Sequence, residues 1–95
     1  MKQQEVYQHK LQTQLAEWSA AIDQLKVRAD EAEADVKAEY DEQIDDLQQK
    51  LDIAQKKLDE LQRARDDVWE SLKADVEVVS NNLGESVNSA TARFH

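Results

Sequence analysis

Apolar residues recur along this chain at alternating steps of three and four, the spacing that keeps side chains on one face of an α-helix. From Leu11 the stripe has two rows. Leu11, Trp18, Leu25 and Ala32 form one, and Leu15, Ile22, Ala29 and Val36 form the other. In heptad terms the first row occupies d and the second a. Val36, Tyr40, Ile44 and Leu47 then step by four, four and three, so the phase moves on by one residue. Such a slip relaxes a left-handed supercoil locally, and it also marks where a long helix can bend or fold back. The register resumes with Ile44, Leu51, Leu58, Arg65 and Leu72 at a, and with Tyr40, Leu47, Ala54, Leu61 and Val68 at d. Arg65 is the charged exception on that seam, a placement that weakens a coiled coil while helping to fix its register.

After Val68 the period changes. Val68, Val79 and Ala90 are eleven apart, as are Leu72, Leu83 and Phe94. An eleven-residue repeat has a period of about 3.67 and favours straight or slightly right-handed helices. Residues 80–92 are also poorer helix formers, with Ser80, Asn81, Asn82, Gly84, Asn88 and Thr91 among them. The firm helix is expected to end near Asn81–Gly84, with Gly84 as a left-handed C-cap. This divides the chain into a long coiled-coil helix over 1–80 and a weaker amphipathic or frayed tail over 81–95.

The chain has no proline and one glycine, so nothing before Gly84 is built to stop the helix. Unbroken from about residue 4 to 80, it would be about 115 Å long. Acid-first pairs four apart, Glu33 with Lys37, Asp46 with Lys50, Asp52 with Lys56 and Asp59 with Arg63, support it by roughly 0.2–0.5 kcal/mol each. A narrow apolar stripe must be buried against another helix. The reading adopted is all-α: an elongated coiled coil in which a near-continuous helix pairs with a second copy, a dimer first. The alternative is an antiparallel hairpin bending near 36–44. The interface would be Leu11, Leu15, Trp18, Ile22, Leu25, Val36, Tyr40, Ile44, Leu47, Leu51, Leu58, Leu61, Val68 and Leu72.

Charge narrows the partners. With 21 Asp and Glu against 12 Lys and Arg the formal net charge is −9, which argues against nucleic acid, whose recognition rests on clustered basic residues. The absence of cysteine excludes disulfides and thiolate chemistry. The polar N-terminus does not read as a secretory signal, and no stretch approaches the roughly 20 apolar residues of a spanning helix. A cytoplasmic protein is expected. The tail from Val76 to Phe94 could lie on a membrane surface, but its polar face carries Arg93 alone, whereas surface-seeking helices are rich in Lys and Arg.

Candidate chemistry is thin. The acidic block Asp30, Glu31, Glu33, Asp35, Glu39, Asp41, Glu42, Asp45 and Asp46 faces only Lys37. A calcium site needs about six to eight converging oxygens, and a straight helix splays its carboxylates outward. His9 and His95 sit near opposite ends without the further ligands zinc requires. No catalytic residue, cofactor or metal is assigned, and no enzyme activity is expected. Trp18 and Trp69 border the seam and read as packing residues or as anchors for a partner helix.

Several segments together resemble a known family. They are Leu11-Gln12-Thr13-Gln14-Leu15-Ala16-Glu17-Trp18, Ile22-Asp23-Gln24-Leu25, Ala38-Glu39-Tyr40, Ala54-Gln55-Lys56-Lys57-Leu58-Asp59-Glu60-Leu61, Trp69-Glu70-Ser71-Leu72-Lys73-Ala74-Asp75-Val76-Glu77 and Ala92-Arg93-Phe94. With these the chain resembles small bacterial coiled-coil proteins grouped as stress-response proteins after a cyanobacterial member. The resemblance implies a non-enzymatic bacterial protein linked to stress, and no catalytic residues. The tail departs from the pattern at Asn81, Asn82, Gly84 and Asn88. Two further readings stand beside it: an eleven-repeat amphipathic helix on a lipid surface, and an adaptor or inhibitor docking on one partner protein.

Overall fold

A computed structural model describes residues 3–94, and they are all-α. Helix α1 spans Gln3–Glu31, α2 Ala34–Arg63 and α3 Asp66–Arg93. Gln4 near the start of α1 reaches Asp66 at the start of α3, and Arg28 near the end of α1 reaches Phe94 just past α3. So α1 and α3 run parallel with α2 antiparallel between them, in a rod of 51 × 20 × 18 Å.

The single long helix expected over about 4–80 is therefore corrected. The chain reverses twice, at Ala32-Glu33 and at Ala64-Arg65, and the stripe is buried within one chain. The phase slip does mark a reversal, but not within 36–44, which is unbroken α2. The register changes there because two different helices contribute the rows on either side. The second reversal divides what reads in sequence as the strongest coiled-coil stretch. Arg65 is not a seam residue but the residue that precedes α3.

Neither reversal uses a glycine, a proline or a positive φ. Glu33 has φ −66° and ψ 157°, Ala64 −72° and 144°, and Arg65 −75° and 157°. These are extended, polyproline-like values that any residue adopts, so the turns leave no mark in residue type. Backbone bonds close each corner: Ala32 N donates to Ala29 O at 3.2 Å and Lys37 N to Glu33 O at 2.7 Å, while Ala64 N donates to Leu61 O at 3.2 Å and Val68 N to Arg65 O at 3.1 Å. Charge marks both corners: Arg28 lies in the last turn of α1 and Asp35 in the first turn of α2, and the second corner is the clearer. Arg63 lies in the last turn of α2 and Asp66 and Asp67 in the first turn of α3, each opposing the partial charge of its helix end.

The tail expectation is also corrected. Helix α3 continues through Asn81, Asn82 and Gly84 to Arg93, so the boundary drawn at 80/81 falls inside it. Its buried face follows seven residues, not eleven. Trp69, Val76, Leu83 and Ala90 form one buried row, and Lys73, Ser80, Val87 and Phe94 the other, with Lys73 half-buried. The polar pair Lys73 and Ser80 on the second row hides that period from a hydrophobicity reading. Gly84 is no C-cap. A β-carbon there would lie 2.9 Å from Cζ2 of Trp18, so the glycine makes room for the indole of α1. Packing against α1 and α2 overrides the weak intrinsic helix propensity of this segment.

Candidate functional site

The expected interface residues occupy the interior of one chain. Leu11, Leu15, Ile22 and Leu25 of α1 and Tyr40, Ile44, Leu47, Leu51, Leu58 and Leu61 of α2 are buried. Trp18 and Leu72 pack half-buried against that core. Val36 and Val68 are exposed, because each lies in the first turn of a new helix, outside the register it was read in. The stripe assigned to pairing with a second copy is thus already covered by α1, α2 and α3 themselves. The apolar row of the tail is covered as well: Val76, Leu83, Val87, Ala90 and Phe94 are core.

Each end of the rod is closed by an aromatic pair. At the α2–α3 corner Tyr7 meets Trp69 edge to face, with ring centroids 5.7 Å apart. The Lys73 ammonium lies 5.0 Å from the Tyr7 ring centre and 5.6 Å from that of Trp69, within the range of a cation–π attraction. Burial raises the Tyr7 phenol above its ordinary value near 10, and the Glu77 carboxylate adds to the rise. Trp69 is 4% exposed, and its Nε1 is buried without a protein acceptor. At the α1–α2 corner Tyr40 stacks on Phe94, with centroids 4.0 Å apart and planes 23° from parallel. The Phe94 carbonyl accepts from Arg28 Nη1 at 3.1 Å and from Tyr40 Oη at 3.4 Å, and Arg93 pairs with Glu39 at 3.5 Å. Sequence periodicity missed Tyr7, which flanks the seam; it put Arg28 at a flanking g position facing Glu33 of a second copy, whereas within the chain Arg28 donates to the Phe94 carbonyl.

Shallow grooves lie between the helices. One, of about 290 Å³ between α1 and α3, is lined by Tyr7, Lys10, Leu11, Gln14, Glu77, Ser80 and Asn81. Ser80 is 5% exposed and its Oγ has no partner. A second, between α1 and α2, carries Asp30, Asp41 and Asp45 beside Lys26. Lys26 Nζ donates to Gln48 Oε1 across this seam at 3.4 Å, and Lys50, paired with Asp46 at 3.0 Å, reaches Ser86 Oγ of α3 at 2.8 Å.

Among the described residues no three His, Cys, Asp or Glu side chains are grouped to hold a metal ion. His9 is exposed, and His95 lies outside the described residues. Among the described residues no helix is long and apolar enough to cross a membrane. The remaining exposed aliphatics, such as Val6, Val27, Ile53 and Val78, are distributed over all three helices. No protein-family model matches the chain, and neither curated proteins nor solved structures give a match.

Proposed function

We propose that the chain is a non-catalytic interaction protein, an acidic helical rod that works by helix pairing, with its own copies first, in a bacterial stress response. The observation that carries this reading is the economy of its connections. Two-residue links join helices of 28 to 30 residues, whereas catalytic and binding residues are disproportionately carried on loops. What the molecule offers is helix surface: charged outside, and apolar along seams that run its whole length. The stress assignment rests on the resemblance of the Leu11–Trp18, Ala54–Leu61 and Trp69–Glu77 segments alone.

Sedimentation velocity over a wide concentration range tests the self-pairing. A mass that rises from one chain to two with concentration supports it; a single-chain mass throughout removes it. In that case an adaptor role on another protein becomes the leading alternative. Binding to lipid would require α3 to leave the core, so a gain of vesicle-bound protein without loss of the Tyr40–Phe94 contact would contradict the packing argument. For the stress role, a bacterial strain lacking the protein should recover more slowly than its parent from at least one of heat, osmotic or oxidative challenge.

A further inference from the structure

The two corners differ in how well they are built. At the α2–α3 corner the charges suit two helix ends, with Arg63 before the break and Asp66 and Asp67 after it. The α1–α2 corner has the same kind of pair, Arg28 in the last turn of α1 and Asp35 in the first turn of α2, but there Asp30 and Glu31 follow Arg28 at the very end of α1, where negative charge is unfavourable to the helix dipole. Neither Glu33 before α2 nor Arg65 before α3 makes a side-chain cap, so the end charges are what distinguish the two corners. The residues spanning the corner, Glu31-Ala32-Glu33-Ala34, are strong helix formers. A continuous helix through them would satisfy the backbone groups that the corner leaves without helical partners and would move the two acids away from a helix terminus. The only side-chain ion pair across this corner, among the described residues, joins Lys37 and Asp30 at 3.8 Å on an exposed surface, where such pairs contribute little.

We propose that the α1–α2 corner is a hinge that straightens into one helix of about 90 Å, so that α1 leaves its own chain and takes the same place on α2 and α3 of a second copy. The proposal rests on the self-association reading and specifies its mechanism. An exchanged dimer keeps the core contacts of the closed rod, including Trp18 against Gly84 and Arg28 on the Phe94 carbonyl, but makes them between copies. Exchange of identical elements needs no new surface complementarity, which fits a chain whose apolar stripe is already covered. The balance between closed and exchanged forms is then set by the corner and by chain concentration. At that end α1 is held by the Arg28 bond to the Phe94 carbonyl, which must break before α1 can leave.

Proline substitution separates the two forms. Ala34 is the first residue of α2, where proline is well tolerated, and the extended Glu33 before it has the backbone that a following proline requires. Ala34→Pro therefore fits the closed corner but would interrupt the straightened helix, disfavouring it roughly 100-fold per copy. Asp66→Pro places the same change at the first residue of α3, after the extended Arg65, and leaves the hinge untouched. Wild type and both variants are refolded from denaturant at a series of chain concentrations and separated by sedimentation velocity. In parallel, copies carrying Gln4→Cys are mixed with copies carrying Asp66→Cys before refolding and treated with a short thiol crosslinker. The chain has no other cysteine.

The expected result is a dimer fraction that rises with concentration in wild type and Asp66→Pro and falls at least roughly tenfold in Ala34→Pro, with cross-links between positions 4 and 66 of different copies in the dimer. A dimer equally abundant in Ala34→Pro, or one lacking that cross-link, overturns exchange and leaves self-association standing. Wild type that stays monomeric at every concentration overturns both. Should Ala34→Pro fail to fold, the cross-link alone decides.

Discussion

The two ends of the rod use the same kind of closure to different effect. At the α2–α3 end the aromatic anchor, Trp69, belongs to the first turn of a helix whose acidic start suits its dipole, and it is covered by Tyr7 and Lys73. At the α1–α2 end the anchor, Phe94, lies past the last turn of α3 and is held by one stacked ring and two donors to its carbonyl. An aromatic pair beside a cation has no fixed value. What it contributes depends on whether the backbone beneath it is a well-terminated helix. One end is an extension of the core, and the other is a clasp.

The largest test of that difference is to truncate each anchor. Trp69→Ala is expected to cost about 3–5 kcal/mol, the usual range for a buried tryptophan, read from chemical denaturation. Phe94→Ala should cost about 2 kcal/mol, near the value of burying one phenylalanine. It should raise amide exchange mainly in the last turn of α3 and the first turns of α2, leaving the Tyr7–Trp69 end protected. Equal costs with global loss of protection in both would mean that the Phe94 end is core as well.

How much of this was legible in sequence follows from the same contrast. The helical class and most of the buried positions of α1 and α2 follow from spacing, since burial and period agree at Leu11, Leu15, Ile22, Leu47 and Leu61. The corners were not legible from residue type because Glu33, Ala64 and Arg65 adopt backbone angles open to any residue. A charge signal existed at both, Arg28 followed by Asp35 and Arg63 followed by Asp66 and Asp67; the first was diluted by Asp30, Glu31 and Glu33, and the second was hidden by reading Arg65 as a seam position. The period of α3 was obscured by Lys73 and Ser80 on the buried row. The exposed Val68 completed a false eleven-residue pattern with Val79 and Ala90. Gly84 was misread because a glycine that accommodates a distant tryptophan looks, in one dimension, like a glycine that ends a helix.

That glycine carries the next prediction, midway between the ends. In a helix interior alanine is worth about 1 kcal/mol over glycine, but here its β-carbon would meet the Trp18 ring at 2.9 Å, and overpacking costs about 1–3 kcal/mol. Gly84→Ala should therefore destabilise by about 1 kcal/mol in the presence of Trp18. With Trp18→Ala in the background the same change should stabilise by up to about 1 kcal/mol. A double-mutant cycle by denaturation reads the difference, and additivity within about 0.5 kcal/mol would remove the contact as the reason for the glycine. On the same helix Ser80→Ala removes a buried hydroxyl without a partner and should raise stability by about 1 kcal/mol. A loss of stability there would reveal a hydrogen bond that Ser80 makes to something outside the chain.

The smallest effect separates the ends by pH. Burial, with Glu77 adding, raises the Tyr7 phenol above its ordinary value near 10, so the folded chain holds that proton more tightly than the unfolded one. The Tyr7 contribution is then constant below pH 10 and is lost as pH climbs from there through the raised folded value. Lysines titrate in the same range, so the informative quantity is the difference between wild type and Tyr7→Phe, whose stability should fall less steeply above pH 10. In wild type amide exchange should rise first around the start of α1 and α3, where the phenolate would be driven from its place against Trp69. If exchange rises first around Phe94 instead, the Tyr7–Trp69 contact is the firmer closure even when charged, and its strength comes from the Trp69 packing rather than from the neutral phenol.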